Sequence, residues 1–237
     1  MNVLVINGSP KGENSNTLKL TNAVIEGIKE NKDAHVEMLT IKDMDIKPCL
    51  GCMSCWGKTA GKCVINDVMQ EVYNKIMQAD VVIESFPLFF FGMPGPMKTF
   101  TDRCLPLMET YKGEVGTIGD NAFHEPRFNM EGKKLIVIST CGYGRTEEIY
   151  DSLIKEYNFI SGKGKYEAIL CPQGEMFAIE PLKPQIEAYL RRYKKIGEYI
   201  GRGEDIPKDL IAKAAEPILP QRAFETLVNN YWNYCEN

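Results

Sequence analysis

The stretch that most constrains the fold is an aliphatic run near the start of the sequence that leads through a turn into a helix. Residues 3–6 are aliphatic without alternation, as is typical of a central strand of a parallel sheet covered on both faces. The turn is predicted by Gly8, Pro10 and Gly12, and the helix start by Ser15, Asn16 and Thr17. The N–H groups and dipole of a helix start favour a phosphate. The stretch therefore predicts either a phosphate-binding loop or an ordinary capped turn.

Two common nucleotide-binding patterns are missing from this sequence. It contains no G-x-x-x-x-G-K-[ST], the pattern of nucleoside triphosphatases. It also contains no G-x-G-x-x-G, the pattern of dinucleotide-binding domains. A single terminal phosphate therefore suits the loop better than a triphosphate or a dinucleotide.

Apolar runs and helical periodicity alternate along the rest of the chain. Further strands are predicted at 35–41, 80–87, 134–140 and 166–170. Helices are predicted at about 17–30, 67–78, 97–108, 146–159, 182–200, 207–215 and 221–234. This alternation predicts an α/β, flavodoxin-like three-layer sandwich, in which a five-stranded parallel sheet of order 2-1-3-4-5 carries helices on both faces. The second strand alternates imperfectly, which favours an edge position.

Length and charge limit the number of domains and the kinds of partner. With 237 residues, 44% of them hydrophobic, we expect one domain over 1–200 and a helical extension over 201–237. The domain would include a cysteine-rich loop at 46–66 and a long aperiodic loop at 109–132, a length typical of a functional lid or an oligomer contact. A net charge of -4 without a basic stripe gives no reason to expect nucleic acid or an anionic membrane as partner.

The sequence shows no secretory signal and no apolar run long enough to span a membrane. A cytoplasmic location is therefore expected. In that compartment the eight cysteines are better explained as metal-binding, redox-active or buried thiols than as a disulfide framework.

Three loops of unusual composition follow strands that the predicted order makes neighbours. They are the phosphate loop (8–17), the aromatic loop (87–96) and the fourth-strand loop (139–144). Ligands of such folds bind at the carboxyl ends of the strands, so we expect the three loops to share one rim. A phosphate cradle beside aromatic and glycine-bearing loops suits FMN. At least one of Phe89, Phe90 and Phe91 is expected in the core, since three successive side chains of an extended backbone cannot all face one ligand.

Three segments together resemble the NADPH-dependent FMN reductase branch of the flavodoxin-like superfamily. They are Gly8–Lys11 with Ser15–Thr17, Pro87–Lys98, and Thr101–Arg103, and the resemblance covers about residues 1–172. It implies a non-covalent FMN whose phosphate is held by Ser9, Lys11, Ser15, Asn16 and Thr17. It implies a flavin ring lying against Pro87, Leu88, Phe89, Phe90, Phe91, Gly92, Thr140, Cys141, Gly142 and Tyr143. It also implies a homodimer or homotetramer, in which Asp102 and Arg103 support the fold and subunit contacts.

Flavin chemistry needs no catalytic side chain from the protein, because the cofactor accepts a hydride and releases electrons. We therefore expect electrons to pass from NAD(P)H to a small acceptor such as a quinone, nitro or azo compound. The choice between NADH and NADPH stays open. His124 is a weak candidate for a proton donor or substrate contact, and a solvated loop position is the favoured interpretation.

The cysteine-rich loop carries the spacing C-x2-C-x2-C-x7-C, formed by Cys49, Cys52, Cys55 and Cys63. Three thiols at intervals of three with a fourth further on are similar to the ligand runs of ferredoxins, which predicts a [4Fe-4S] cluster. The spacing and position also resemble those of iron-sulfur flavoproteins in the same superfamily. A zinc ion and free or reversibly oxidised thiols are the alternatives. Most of the other cysteines are expected to be buried free thiols: Cys104, Cys141, Cys171 and Cys235.

Three hypotheses follow. The first is an NAD(P)H-dependent FMN oxidoreductase. The second is an iron-sulfur flavoprotein that carries electrons between a ferredoxin-type donor and an acceptor. The third is a zinc-bound binding module on the same scaffold without flavin.

Overall fold

A parallel five-stranded sheet lies at the centre of the computed structural model, which describes residues 1–110 and 124–235. Its strands are β1 (Asn2–Asn7), β2 (His35–Thr40), β3 (Val81–Pro87), β4 (Lys134–Thr140) and β5 (Glu167–Cys171). They are ordered β2-β1-β3-β4-β5, and every neighbouring pair is parallel. The flavodoxin-like order and the edge position of β2 are thereby confirmed.

Helices cover both faces of this sheet. They are α1 (Asn16–Ile28), α2 (Met69–Gln78), α3 (Gly95–Arg103), α4 (Asp151–Ser161), α5 (Lys183–Gly201), α6 (Lys208–Ala214) and α7 (Gln221–Cys235). Within the described residues, none of these helices has the length and apolar character that a membrane crossing needs.

Two helix predictions were wrong at one end. The helix predicted to reach 108 ends at Arg103 and is followed by a 3-10 turn at Leu105–Leu107, because Pro106 has no N–H with which to continue the helical hydrogen bonds. The helix predicted from 146 begins only at Asp151, because Glu148 has a left-handed φ of 65°.

The side chains of the central strands alternate between two apolar layers. Val3 and Val5 pack with α1 and α5, whereas Leu4 and Ile6 pack with α2, α3 and α4. This explains why the first strand is aliphatic throughout. Helices α1 and α5 approach so closely that a Cβ at Gly197 would lie 1.9 Å from the carbonyl oxygen of Val24.

The C-terminal helices are anchored to the sheet domain through their connections. The Tyr193 hydroxyl donates to the carbonyl oxygen of Ala214 over 2.8 Å, at the end of α6. The Gln173 side chain exchanges two hydrogen bonds with the backbone of Leu219, just before α7. The predicted division at residue 200 stays a prediction.

Candidate functional site

The phosphate loop places three small hydroxyl side chains in buried positions where α1 begins. Ser9, Ser15 and Thr17 are each at most 2% exposed, whereas Lys11 is exposed and Asn16 is half-buried. Ser15 caps the helix by accepting a hydrogen bond from the N–H of Leu18 at 3.4 Å. Since the first N–H groups of a helix lack intrahelical acceptors, those of Asn16 and Thr17 remain as donors beside these hydroxyls. These hydroxyl and backbone N–H groups together are suited to binding an anion.

Direct hydrogen bonds join the phosphate loop to the two other predicted loops. The hydroxyl oxygens of Thr17 and Thr140 lie 2.6 Å apart in the interior. The N–H of Leu88 donates to the carbonyl oxygen of Thr140 at 2.7 Å. Thr140 thus connects the loops that follow β1, β3 and β4 at one edge of the sheet, which defines the rim.

The aromatic loop corrects one prediction. Phe89, Phe90 and Phe91 are 47%, 100% and 42% exposed, so the expectation that at least one lies in the core was wrong. The backbone is not extended there: Phe89 and Gly92 exchange two hydrogen bonds of 3.0 Å, and Phe90 and Phe91 adopt φ of 48° and 65°. Both central residues of this tight turn are therefore left-handed, so the three side chains escape the alternation of a strand. Leu88 and Pro94 are the buried residues of the loop.

Aromatic rings from two loops meet at the rim. The rings of Phe91 and Tyr143 stack with centroids 5.6 Å apart and an interplanar angle of 23°. The Ser152 hydroxyl donates to the carbonyl oxygen of Phe91 and holds the turn against α4. Gly142 lies beside them, where a Cβ would come within 2.8 Å of a Glu175 carboxylate oxygen. The rim thus carries partly exposed aromatic rings in addition to the buried hydroxyls.

The four cysteines of the cysteine-rich loop line one pocket, together with Asp102 and Arg103 among other residues. Cys49 and Cys52 are exposed, Cys55 is buried and Cys63 is intermediate. All eight cysteines are free thiols, and of the four outside this loop Cys141 and Cys171 are fully buried.

The backbone of this loop already turns some N–H groups towards sulfur. Gly51 and Met53 have left-handed φ of 62° and 54°, and the Gly51 N–H lies 3.5 Å from Cys49 Sγ. Hydrogen bonds from Ser54 lower the pKa of the Cys52 thiol. Burial, followed by the neighbouring thiol of Cys63, raises that of Cys55.

Within residues 1–110 and 124–235, no three His, Cys, Asp or Glu side chains converge closely enough to hold a metal ion. The donor chemistry of the pocket nevertheless fits a cluster, because four thiols surround it and N–H groups reach the sulfurs. Binding would require the two exposed thiols to turn inward.

A buried ion pair closes the two ends of the cysteine loop. The guanidinium of Arg103 donates to both carboxylate oxygens of Asp67, at 2.6 and 2.9 Å, and to the carbonyl oxygen of Lys47 at 2.7 Å. Asp67 also accepts from the N–H groups of Lys47 and Met69. The Arg103 hydrogen bonds hold the pKa of Asp67 below its usual range. We call this pair the Asp67–Arg103 clasp, since it ties residues before Cys49 and after Cys63 to the end of α3.

The sequence model of the NADPH-dependent FMN reductase family matches residues 1–154. The chain belongs to this family.

Among its relatives is an iron-sulfur flavoprotein of Methanocaldococcus jannaschii, 36% identical over 107 residues, which make up 45% of this chain and 53% of that protein. The chain spans about half the length of the curated relatives it matches.

Solved structures share the fold. The NAD(P)H:quinone oxidoreductase of Methanothermobacter marburgensis superposes with a TM-score of 0.60 at 18% identity, covering 84% of this chain and 96% of that one. An FMN-dependent NADH-azoreductase of Bacillus anthracis, solved with FMN, superposes with a TM-score of 0.54 at 20% identity, covering 85% and 98%.

The rim of this FMN reductase family member also contains a donor that the sequence patterns did not identify. Asn7 is fully buried at the end of β1, and its Oδ1 accepts the Ser9 N–H at 3.2 Å. Its Nδ2 has no hydrogen-bond partner among the described residues. A buried amide donor without a partner beneath the phosphate loop fits a bound anion. In the sequence, this donor could have been identified as an amide residue that directly follows the aliphatic run of residues 3–6.

His124 lies against the cysteine loop. Its ring centroid is 4.7 Å from a ring of Trp56, and its Nδ1 lies 3.0 Å from the carbonyl oxygen of Glu109. Residues 111–123 of the predicted long loop lie outside the described residues. The described ends of that loop pair with each other, since the N–H of Glu109 donates to the carbonyl oxygen of Glu125 at 2.7 Å.

Proposed function

We propose that this protein is an FMN-dependent oxidoreductase that passes electrons from NAD(P)H to a small acceptor such as a quinone, nitro or azo compound. The observation that carries the proposal is the joining of three loops at one rim by Thr140, in a chain that belongs to the FMN reductase family. The exposed aromatic side chains of α7, Tyr231, Trp232 and Tyr234, support a homodimer or homotetramer as part of the proposal. A cytoplasmic location rests on the sequence alone.

Each loop has a distinct part in binding. The FMN phosphate would be held by the hydroxyls and N–H groups of the phosphate loop: Ser9, Lys11, Ser15, Asn16 and Thr17. The ring would lie against Pro87, Leu88, Phe89, Phe90, Phe91 and Gly92 on one side and Thr140, Cys141, Gly142 and Tyr143 on the other. Bound FMN would supply hydride acceptance and electron release. The protein would orient the ring, and the rings of Phe91 and Tyr143 would exclude water from one side of it.

The test uses purified protein saturated with FMN. NADH and NADPH are each supplied anaerobically with a quinone, a nitroaromatic compound and an azo dye, and nucleotide oxidation is followed. We expect acceptor-dependent oxidation of at least one nucleotide. Protein that retains FMN but oxidises neither nucleotide with any of these acceptors would contradict the proposal.

The cysteine pocket favours a second function. In this version Cys49, Cys52, Cys55 and Cys63 hold a [4Fe-4S] cluster, and the protein carries electrons between a ferredoxin-type donor and an acceptor. The proposal is supported by the pocket that all four thiols line and by relatives named as iron-sulfur flavoproteins. Anaerobic preparations should contain about four iron atoms and about four sulfides per chain. Zinc in their place, or thiols free of metal, would exclude this version.

A further inference from the structure

Arg103 is a buried cation in the wall of the cysteine pocket. Its side chain has no exposed surface, and it lines the pocket together with all four cysteines. Its two terminal nitrogens are occupied by Asp67 and by the carbonyl oxygen of Lys47. The N–H of its third nitrogen, Nε, is buried and has no hydrogen-bond partner in the part of the chain that the structure describes. Buried donors of this kind are uncommon, because an unpaired donor loses its hydrogen bond to water without gaining another.

The guanidinium cannot easily rotate to satisfy this donor within the protein. The planar fork to Asp67 fixes its orientation, and the Tyr73 hydroxyl donates to the backbone carbonyl of Arg103 at 2.6 Å. Asp67 is saturated as well, since its two oxygens also accept the N–H groups of Lys47 and Met69. Since Arg103 lines the pocket, a group bound in the pocket is the remaining source of an acceptor for Nε–H.

We propose that Arg103 Nε–H donates to the sulfur shell of a [4Fe-4S] cluster held by the four cysteines and thereby raises the reduction potential of that cluster. This inference rests on the iron-sulfur version of the proposed function. One-electron reduction adds one negative charge without breaking a bond, and a buried charge-assisted donor stabilises the more negative state. Asp102, which also lines the pocket, has the opposite sign but is paired with Lys98 at the surface.

The fold-supporting role of Arg103 can be separated from this electrostatic role by changing both members of the pair. In Arg103→Gln/Asp67→Asn, two buried charges are removed together and a neutral amide pair remains, which avoids an uncompensated buried charge. Asp67→Asn alone keeps the cation and removes its counterion. If charge sets the potential, the two variants must shift it in opposite directions. If only packing matters, both shift it the same way.

The experiment is an anaerobic reductive titration of the reconstituted holoprotein with dithionite as the electron donor, followed by the spectrum of the reduced cluster. For the double variant we expect the equilibrium constant for reduction to fall about tenfold, about 59 mV more negative for one electron. For Asp67→Asn the potential should become more positive. Circular dichroism of the same proteins without metal checks that they fold, and if the double variant does not, the sign of the Asp67→Asn shift decides.

An unchanged potential in the folded double variant, or shifts of the same sign in both, would overturn the role of Arg103. Wild-type protein that takes up no iron and sulfide would overturn the inference as well. Nucleotide oxidation by FMN-saturated protein is measured separately, so failure here is distinguishable from failure of the oxidoreductase proposal.

Discussion

The rim and the cysteine pocket are the two candidate sites of this protein, and they differ in how far the fold itself forms them. At the rim, the hydroxyls of Ser9, Ser15 and Thr17 are buried and hydrogen-bonded before any ligand arrives. In the pocket, Cys49 and Cys52 remain exposed. One site therefore has its polar groups already buried and hydrogen-bonded, whereas the other leaves two of its four thiols exposed.

The difference arises from the interactions that build each region. The phosphate loop follows from a strand, a turn and a helix cap that are contiguous in sequence. The cysteine loop depends on contacts that are distant in sequence. They include the Asp67–Arg103 clasp, whose residues are 36 positions apart, and the hydrogen bond from the Trp56 indole to the carbonyl oxygen of Leu105 at 3.0 Å. Disrupting the clasp should therefore affect the two regions unequally.

Removing the clasp carboxylate should have the largest effect. Asp67→Ala leaves the buried Arg103 guanidinium without its counterion, which should lower the free energy of unfolding by about 3–5 kcal/mol. Urea unfolding measures the loss, and proteolysis within 46–66 should accelerate. Asp102→Ala breaks a surface ion pair within α3 and should lower the free energy of unfolding by less than about 1 kcal/mol. Equal losses of stability in the two variants would show that the clasp stabilises the protein no more than a surface ion pair does.

A second carboxylate, that of the partly buried Glu84 in β3, should respond to pH in the opposite sense from Asp67. Burial raises the pKa of Glu84 from 4.5 to about 7, and the Tyr157 hydroxyl donates to it. Because the folded-state pKa exceeds that of the unfolded state, stability falls as pH rises through this interval, and the penalty is complete above about pH 7.

Glu84→Gln should therefore stabilise the protein by on the order of 2 kcal/mol at pH 8 and by almost nothing near pH 4. For Asp67 the folded-state pKa is lowered. The stability that its ionised carboxylate contributes is therefore fully present above the ordinary pKa of 3.8, and it is lost as pH falls through the folded-state pKa. Thermal unfolding across this pH range checks both signs. A Glu84→Gln effect that does not change between pH 4 and pH 8 would contradict this account.

Two threonines of α1 provide a matched pair for the rim. The Thr17 hydroxyl is 2.6 Å from that of Thr140, and the Thr21 hydroxyl, one turn on, is 2.7 Å from that of Ser85. Thr17→Val and Thr21→Val should each cost about 1–2 kcal/mol of stability, because a buried hydroxyl loses its partner. Only Thr17→Val should also weaken FMN binding, as measured by fluorescence titration. Equal affinities in the two variants would remove Thr17 from the phosphate site.

A substitution in the tight turn between Phe89 and Gly92 should have the smallest effect on stability. Phe90 is fully exposed at φ 48°, a conformation that asparagine tolerates better than a bulky side chain. Phe90→Asn should raise stability by about 0.5–1 kcal/mol. The exposed Leu50→Asn, in the cysteine loop, is a control without a left-handed residue and should change stability little. Destabilisation by Phe90→Asn would mean that the aromatic side chain contributes packing to the rim.

How far the sequence predicts this protein depends on the range of the interactions involved. Strand positions and sheet order follow from aliphatic runs such as residues 3–6 and from the alternation with helices, so both were predictable. The turn at Phe90 and Phe91 was not, because its backbone contradicts the ordinary preference of phenylalanine. The Asp67–Arg103 clasp was not predictable either, since nothing local pairs two residues so distant in sequence.

The most direct test of the central claim is an anaerobic titration of FMN-saturated protein with NADH and NADPH, followed by the visible absorbance of the flavin. We expect at least one nucleotide to bleach the flavin and a quinone, nitroaromatic or azo compound to restore the absorbance. Bound FMN whose absorbance neither nucleotide changes would contradict the oxidoreductase proposal.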